Sequence, residues 1–279
     1  MSDIIEKIGS SVIQHGKMSD RVYLMKLSEQ DFPSILKEVK ELAVKNGYAK
    51  IFAKVPGWAK KTFESDGYKK EAHIPCFYNG VEDVFFMAKY LNPNRERISN
   101  AAFIAAVIQT AKNVAPVQMD ALMQKDDYHF CILNSEDVAD MVSVYKTVFK
   151  TYPFPIHDTK YLVATMEENI VYFGIWDKKS LVAVSSCEMD VQSKNVEMTD
   201  FATLPEYRGQ GLALYLLINM EAEMKKRGML TAYTIARAES YGMNITFAKA
   251  RYTYAGLLVN NTNISGGIES MNVWYKALQ

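Results

Sequence analysis

The residues best suited to chemistry lie between positions 199 and 220, in the run TDFATLPEYRGQGLALYLLINM. Within it, Arg208-Gly209-Gln210-Gly211-Leu212-Ala213 reads as a tight turn joining a strand to an amphipathic helix. Glycines on either side of Gln210 let the main chain come close to a ligand. The helix beyond them aims unpaired N–H groups and the positive end of its dipole at that ligand. This is chemistry for a phosphate or pyrophosphate held by backbone amides. A Walker loop is excluded, because no Gly-Lys-Ser/Thr ending follows Gly211. A dinucleotide fingerprint needs a small residue three positions after the second glycine, where Leu214 stands.

The strand ahead of the turn carries Glu197, Thr199 and Asp200. Strict alternation puts Glu197 and Asp200 on opposite faces, unless a bulge realigns them. Asn244 opens a later helix, as an N-cap or a ligand contact. Arg237 and Glu239 follow the strand that ends at Ile235, and a guanidinium there suits a carboxylate bidentately.

These groups need a scaffold, and the 279 residues suffice for one large domain or two small ones. Lys+Arg and Asp+Glu both number 32, so no global basic field favours nucleic acid. Three scattered cysteines, Cys76, Cys131 and Cys187, suit free thiols in a reducing cytoplasm. Neither they nor the four histidines have metal-ligand spacing, so no metal is expected. The charged N-terminus gives no sign of a signal peptide. The longest uncharged stretch, 98–111, is too short to span a bilayer; being apolar nearly all round, it predicts a buried helix.

In chain order, 1–20 reads as a short leader with a strand near 11–13, followed by a strand at 21–27. A helix is expected over 28–46, stopped by Gly47. Then come a strand at 48–55, a short helix at 58–65, and strands at 68–74 and 84–90. Asn92-Pro93-Asn94 marks a boundary. The resulting division is an N-terminal domain at 1–92, a helical linker at 93–125 and a second domain at 126–279. The second domain reads as strand 128–133, helices 136–150 and 158–165, and strands 170–176, 181–189 and 195–204. The glycine turn, a helix at 211–227, a strand at 229–235 and a helix at 241–249 follow, with strands at 252–259 and 268–276 last. Residues 47–91 echo 228–278: Phe63, Gly67 and Tyr68 line up with Phe247, Arg251 and Tyr252.

The Arg-x-x-Gly-x-Ala loop preceded by Leu-Pro-x-Tyr resembles the coenzyme A loop of the GNAT acyltransferase family, and the βααβββαβαββ order is similar to a complete GNAT domain. The resemblance implies an α/β fold with a mixed sheet, and an N-terminal half that looks like a β-α-β-β half of the same fold without a cofactor. It implies acetyl-CoA held by Ala202, Thr203 and Leu204 on the strand, by Arg208, Gly209, Gln210, Gly211, Leu212, Ala213 and Leu214 around the turn, and by Asn244. Glu197 matches the family's glutamate base and Asp200 is a clamp on a cationic amine. The tyrosine that many members place two turns after the asparagine is missing; Tyr252, Tyr241 and Tyr254 are the available acids. The loop at 152–157 stands where the family often builds substrate walls.

The strings EMTDFATLPEYRGQGL (197–212), TIARA (234–238), GMNITF (242–247), KIFAKVP (50–56) and IPCFYNG (74–80) are similar to the β-lysine N-acetyltransferase group of that family. That resemblance implies acetylation of the ε-amine of L-β-lysine to a compatible solute, with Asp200, Arg237 and Glu239 binding the substrate. The alternatives are another small amine, such as lysine or a polyamine, or a non-catalytic acetyl-CoA-binding module. A cytoplasmic monomer or homodimer without nucleic-acid or membrane partners completes the expectation.

Overall fold

A computed structural model describes residues 3–117 and 128–278. The N-terminal part contains β1 (Ile4–Ile8), β2 (Ser11–Gly16), β3 (Arg21–Lys26), α1 (Ile35–Asn46), β4 (Lys50–Pro56), α2 (Lys60–Ser65), β5 (Lys69–Tyr78) and β6 (Glu82–Tyr90). After α3 (Ala101–Lys112) come β7 (Tyr128–Ile132), α4 (Val138–Val148), α5 (Thr159–Glu168), β8 (Ile170–Asp177), β9 (Ser180–Asp190) and β10 (Asn195–Thr203). The chain continues with α6 (Leu212–Lys226), β11 (Thr231–Arg237), α7 (Tyr241–Lys249), β12 (Thr253–Ile264) and β13 (Gly267–Ala277). The expected strand and helix order from β7 onward is the observed one. No helix among the described residues is long and apolar enough to cross a membrane.

The strands form one mixed sheet in the order β1-β2-β3-β4-β6-β5-β12-β13-β11-β10-β9-β8-β7. Among the described strands, only β3 with β4 and β10 with β11 run parallel. Read outward from the β5–β12 junction, each side repeats the other, and the echo extends upstream of the expected segment to β3-α1-β4 against β10-α6-β11. The detail repeats as well. Phe63–Tyr68 and Phe247–Tyr252 meet edge-on, with centroids 4.9 and 5.1 Å apart and planes at 70° in both. Gly67 and Arg251, just ahead of the tyrosines, both hold positive φ, 84° and 67°. Lys89 and Lys276 cover the two tyrosine rings at 5.5 and 5.7 Å.

Two features hold the halves together. Gly256 of β12 pairs with Ala72 of β5 at φ 151°, and a Cβ there would lie 2.2 Å from Glu71 O. Beside it, Lys50 Nζ is fully buried and reaches Glu71 Oε2 at 2.9 Å and Val259 O at 2.7 Å, while Val259 N–H donates to Glu71 Oε1 at 2.9 Å. A buried pair of this kind adds little net stability but is costly to break from one side.

Three apolar cores follow. One fills the space where the two halves face each other: Phe52 and Phe86 meet Tyr233, Val184 and Ala202, with α4 and α5 closing it. The second lies under α3, α6 and α7, and the third under α1 and α2.

Several expectations need correction. Within the segment expected as a leader, residues 4–16 form a hairpin; β1 is an edge strand with Ile4 and Ile5 turned to solvent, so it lacks the burial pattern that signals a strand. The first helix begins only after Pro33, which has no N–H to give. The apolar helix α3 is not buried all round: Ile104, Val107, Ile108 and Ala111 face the core, whereas Phe103 is 46% exposed. The β12 strand runs past 259 through Asn260, Asn261 and Asn263, polar residues that tie it to the N-terminal half. The boundary placed at 125/126 lies outside the described residues.

The junction makes a direct prediction. Gly256→Ala should lower stability by about 2–4 kcal/mol, through the clash and the strained φ, whereas Gly267→Ala, with open space at its Cβ, should stay within about 0.5 kcal/mol. Urea unfolding of both variants checks this.

Candidate active site

β10 and β11 are paired only at 195–197 against 231–233, although both strands run further. From there they diverge, and the space between them opens onto both faces of the sheet. On its other edge β10 stays with β9, but only through a bulge: Thr199 faces Ser186 and Ala202 faces Val184, leaving one extra residue on β10. Asp200 takes up the distortion at φ 55°. The bulge overturns strict alternation, because Asp200 joins Glu197 and Thr199 in one cavity. Met198, between them, points into the core under α6.

On the helical face, the divergence opens a cleft of about 570 Å³ bordered by Phe201, Thr203, Arg208, Gly209, Gly211 and Arg237. Gly209 and Gly211 hold φ 78° and 76°, with nothing within 4 Å of where a Cβ would stand. The Tyr215 N–H donates to Gly211 O at 3.0 Å. The amides of Leu212, Ala213 and Leu214, one turn earlier, therefore have no helical acceptor. Their side chains differ, since Leu212 and Leu214 are buried. Arg208 Nε donates to Thr203 O at 3.2 Å, and Gln210 Oε1 accepts from the Tyr128 hydroxyl at 2.6 Å. Main-chain amides, a helix N-terminus and an adjacent guanidinium fit an extended anionic ligand such as a coenzyme A pyrophosphate.

The strand amides need one correction. The Leu204 N–H is spent on Val182 O at 3.0 Å, and alternation along the ladder gives Ala202, opposite Val184, the same inward direction. Thr203 alone of the three turns its amide toward the divergence.

Other expected residues are placed differently. Asn244 is fully buried and does not border the cleft. Its amide donates to Arg237 O at 3.0 Å and Ser240 O at 2.7 Å, and its oxygen accepts from Asn272 and Trp274, both at 2.9 Å. Ser240, rather than Asn244, caps α7. Arg237 reaches the cleft, but its guanidinium is held bidentately by Glu269 at 2.7 and 2.9 Å. Glu239 accepts from Asn100 at 2.9 Å on the surface. Tyr252 is packed against Phe247 in the core, away from cleft and cavity.

On the opposite face lies a cavity of about 90 Å³. Glu197 and Glu188 stand directly across from each other on β10 and β9, and Asp200 completes the group. Burial pushes the Glu197 carboxyl up to about 7, reinforced by Glu188 and opposed by Lys54 and a hydrogen bond with Tyr233. Glu188 is also raised by burial, against the pull of Lys54. Burial raises Asp200 too, but hydroxyls oppose it: Ser186 Oγ donates at 2.5 Å, and Tyr152 donates from the loop at 152–157. Asp200 is thus a fixed acceptor, and Glu197 the carboxylate poised to exchange a proton near neutral pH. Lys54 Nζ donates to the Tyr233 hydroxyl at 3.3 Å.

Glu188, Lys54, Arg21 and Tyr23 also line this cavity, and sequence reasoning missed all four. Lys54 and Glu188 had a local signal, a charge set within the apolar run of β4 and one directly after the buried run 181–187 of β9. Among the described residues, no group of three or more His, Cys, Asp or Glu side chains forms a metal site.

The profile of the acetyltransferase (GNAT) family matches residues 136–243, which hold the divergence and the turn. The chain is 44% identical over 276 residues, 99% of each protein, to the β-lysine N(6)-acetyltransferase of Methanococcus maripaludis. The chain belongs to the GNAT acetyltransferase family. The chain is also similar to N-acetyltransferase YodP of Bacillus subtilis, 31% identical over 96% of each chain, and to the β-lysine N(6)-acetyltransferase of Methanosarcina mazei, 30% identical over 88% of this chain and 98% of that one. The protein is therefore a GNAT N-acetyltransferase.

The raised Glu197 carboxyl has a thermodynamic signature. Its folded-state value, about 7, stands above the ordinary 4.5, so the stability it contributes is present below the ordinary value and is lost as pH rises through 7. Glu197→Gln, which cannot ionise, should be close to wild type in urea unfolding at pH 4.5. At pH 8 it should be more stable by on the order of 3 kcal/mol. A difference independent of pH would contradict the placement of this charge.

Proposed function

We propose that this GNAT enzyme transfers the acetyl group of acetyl-CoA to the ε-amine of L-β-lysine, giving Nε-acetyl-β-lysine and CoA. One observation carries the reading: three carboxylates, Asp200 buried and Glu188 and Glu197 half-buried, share a cavity on one face of the same divergence that opens the amide-lined cleft on the other. Donor and acceptor can then meet between β10 and β11. The choice of acceptor is supported by the full-length similarity to the M. maripaludis enzyme.

The amine arrives as an ammonium with a pKa near 10 and cannot attack until it loses a proton. Glu197 takes that proton, and Asp200, fixed by Ser186 and Tyr152, holds positive charge nearby. The Thr203 amide faces the gap, where it serves the carbonyl oxygen as negative charge develops. A C–N bond forms as the C–S bond breaks. One proton leaves the amine and one joins the sulfur, so amine plus thioester becomes amide plus thiol. The turn amides at 209–214 and Arg208 hold the pyrophosphate. The product has lost one positive charge relative to the substrate and is net neutral, which suits a compatible solute.

Purified protein with acetyl-CoA should release CoA on adding β-lysine, ahead of lysine and polyamines in a competition panel; no release above background would refute the reading. The kcat/KM for β-lysine should rise with pH through about 7, as Glu197 loses its proton. Glu197→Gln should remove that limb and lower kcat/KM by about 10²–10³-fold. Gly211→Val, forced into a conformation β-branched residues avoid, should weaken acetyl-CoA binding in calorimetry by about tenfold or more.

A further inference from the structure

The cavity is electrostatically two-ended. Glu188, Glu197 and Asp200 occupy the β9–β10 side, and Arg21 comes from β3 in the other half of the molecule. We propose that Arg21 is the specificity residue for the acceptor's carboxylate, so that the N-terminal half selects an amino acid over a simple diamine. This deepens the proposed function and rests on an acceptor that carries a carboxylate.

Arg21 is 4% exposed, and its hydrogen bonds go to neutral oxygens. Nη1 donates to Asn261 O at 2.7 Å and Thr262 Oγ1 at 3.0 Å, and Nη2 donates weakly to Gln14 Oε1 at 3.4 Å. Nε is buried without a partner among the described residues. The edge formed by Nε and Nη2 can grip a carboxylate bidentately, and its one contact among the described residues is the long bond from Nη2 to Gln14. The guanidinium lies over the rings of Tyr23 and Phe52, 5.0 and 5.5 Å from their centroids, so its plane is set in advance. Burial lowers its pKa only to about 10, and it remains a cation at neutral pH. A buried cation with no carboxylate in ion-pair contact among the described residues is costly to keep, and a bound carboxylate would offset that cost. Arg237, the candidate from sequence, already has its fork filled by Glu269. The acids at the far side suit the amines, and an α,ω-related amine and carboxylate match the two ends.

The test compares β-lysine with the diamine left when its carboxyl group is removed. Wild-type enzyme should prefer β-lysine in kcat/KM by at least about 100-fold, because a site built to bond a group rejects the analogue lacking it. Arg21→Met should collapse that ratio toward one through loss of the β-lysine rate, with the diamine rate within about threefold of wild type, and Arg21→Lys should recover part of it. Acetyl-CoA affinity, measured by calorimetry, should be unchanged in both variants, which also shows that they fold. Equal use of the two acceptors by wild type, or a folded Arg21→Met that keeps the full ratio, would overturn the proposal. If Arg21→Met does not fold, the wild-type ratio alone decides. If wild type ignores β-lysine, the β-lysine reading fails separately. The same comparison of lysine with cadaverine then tests Arg21: preference for the amino acid supports it and indifference overturns it.

Discussion

Three residues of pairing between β10 and β11, followed by divergence, are the constraint on which the rest depends. A parallel pair that separates leaves main-chain groups on the inner edges without ladder partners, a cost tolerated where a ligand supplies the missing bonds. Here the divergence creates two compartments. The helical face gains a cleft edged by the Thr203 amide and the open first turn of α6. The other face gains a cavity lined in part by Asp200 at the bulge. Without that extra residue, Glu197 and Asp200 would face opposite ways, and the cavity would hold two acids instead of three.

The N-terminal half finishes the second compartment. Strands β3 and β4 bring Arg21, Tyr23, Phe52 and Lys54 across from β9 and β10. The buried Lys50–Glu71 pair and the Gly256–Ala72 contact fix that opposition. The half that repeats the fold without the glycine loop thus provides walls and charge for this cavity. Closing the cavity also raises the Glu197 pKa, since both burial and the proximity of Glu188 depend on water being excluded.

Much of this was legible in the sequence wherever a local rule governed it. The glycine turn is local, and so are the strand before it, the helix after it and the internal echo anchored by Phe63–Tyr68 and Phe247–Tyr252. What escaped depends on distant partners. The facing of Glu188 against Glu197 is a matter of register. The direction of Asp200 follows from a bulge that β9 imposes, and the place of Arg21 follows from the meeting of the two halves. The same logic explains α3, whose composition suggests complete burial but whose neighbours cover one stripe. It also explains Asn244, whose position invited a ligand role although its amide is saturated within the protein.

The most direct measurement of the central claim is a crystal structure with CoA and β-lysine bound together. The account predicts CoA in the cleft with its pyrophosphate on the amides at 209–214, and β-lysine in the cavity with its ε-nitrogen within about 3 Å of Glu197. β-Lysine bound on the helical face, or outside a cavity that stays empty, would contradict it.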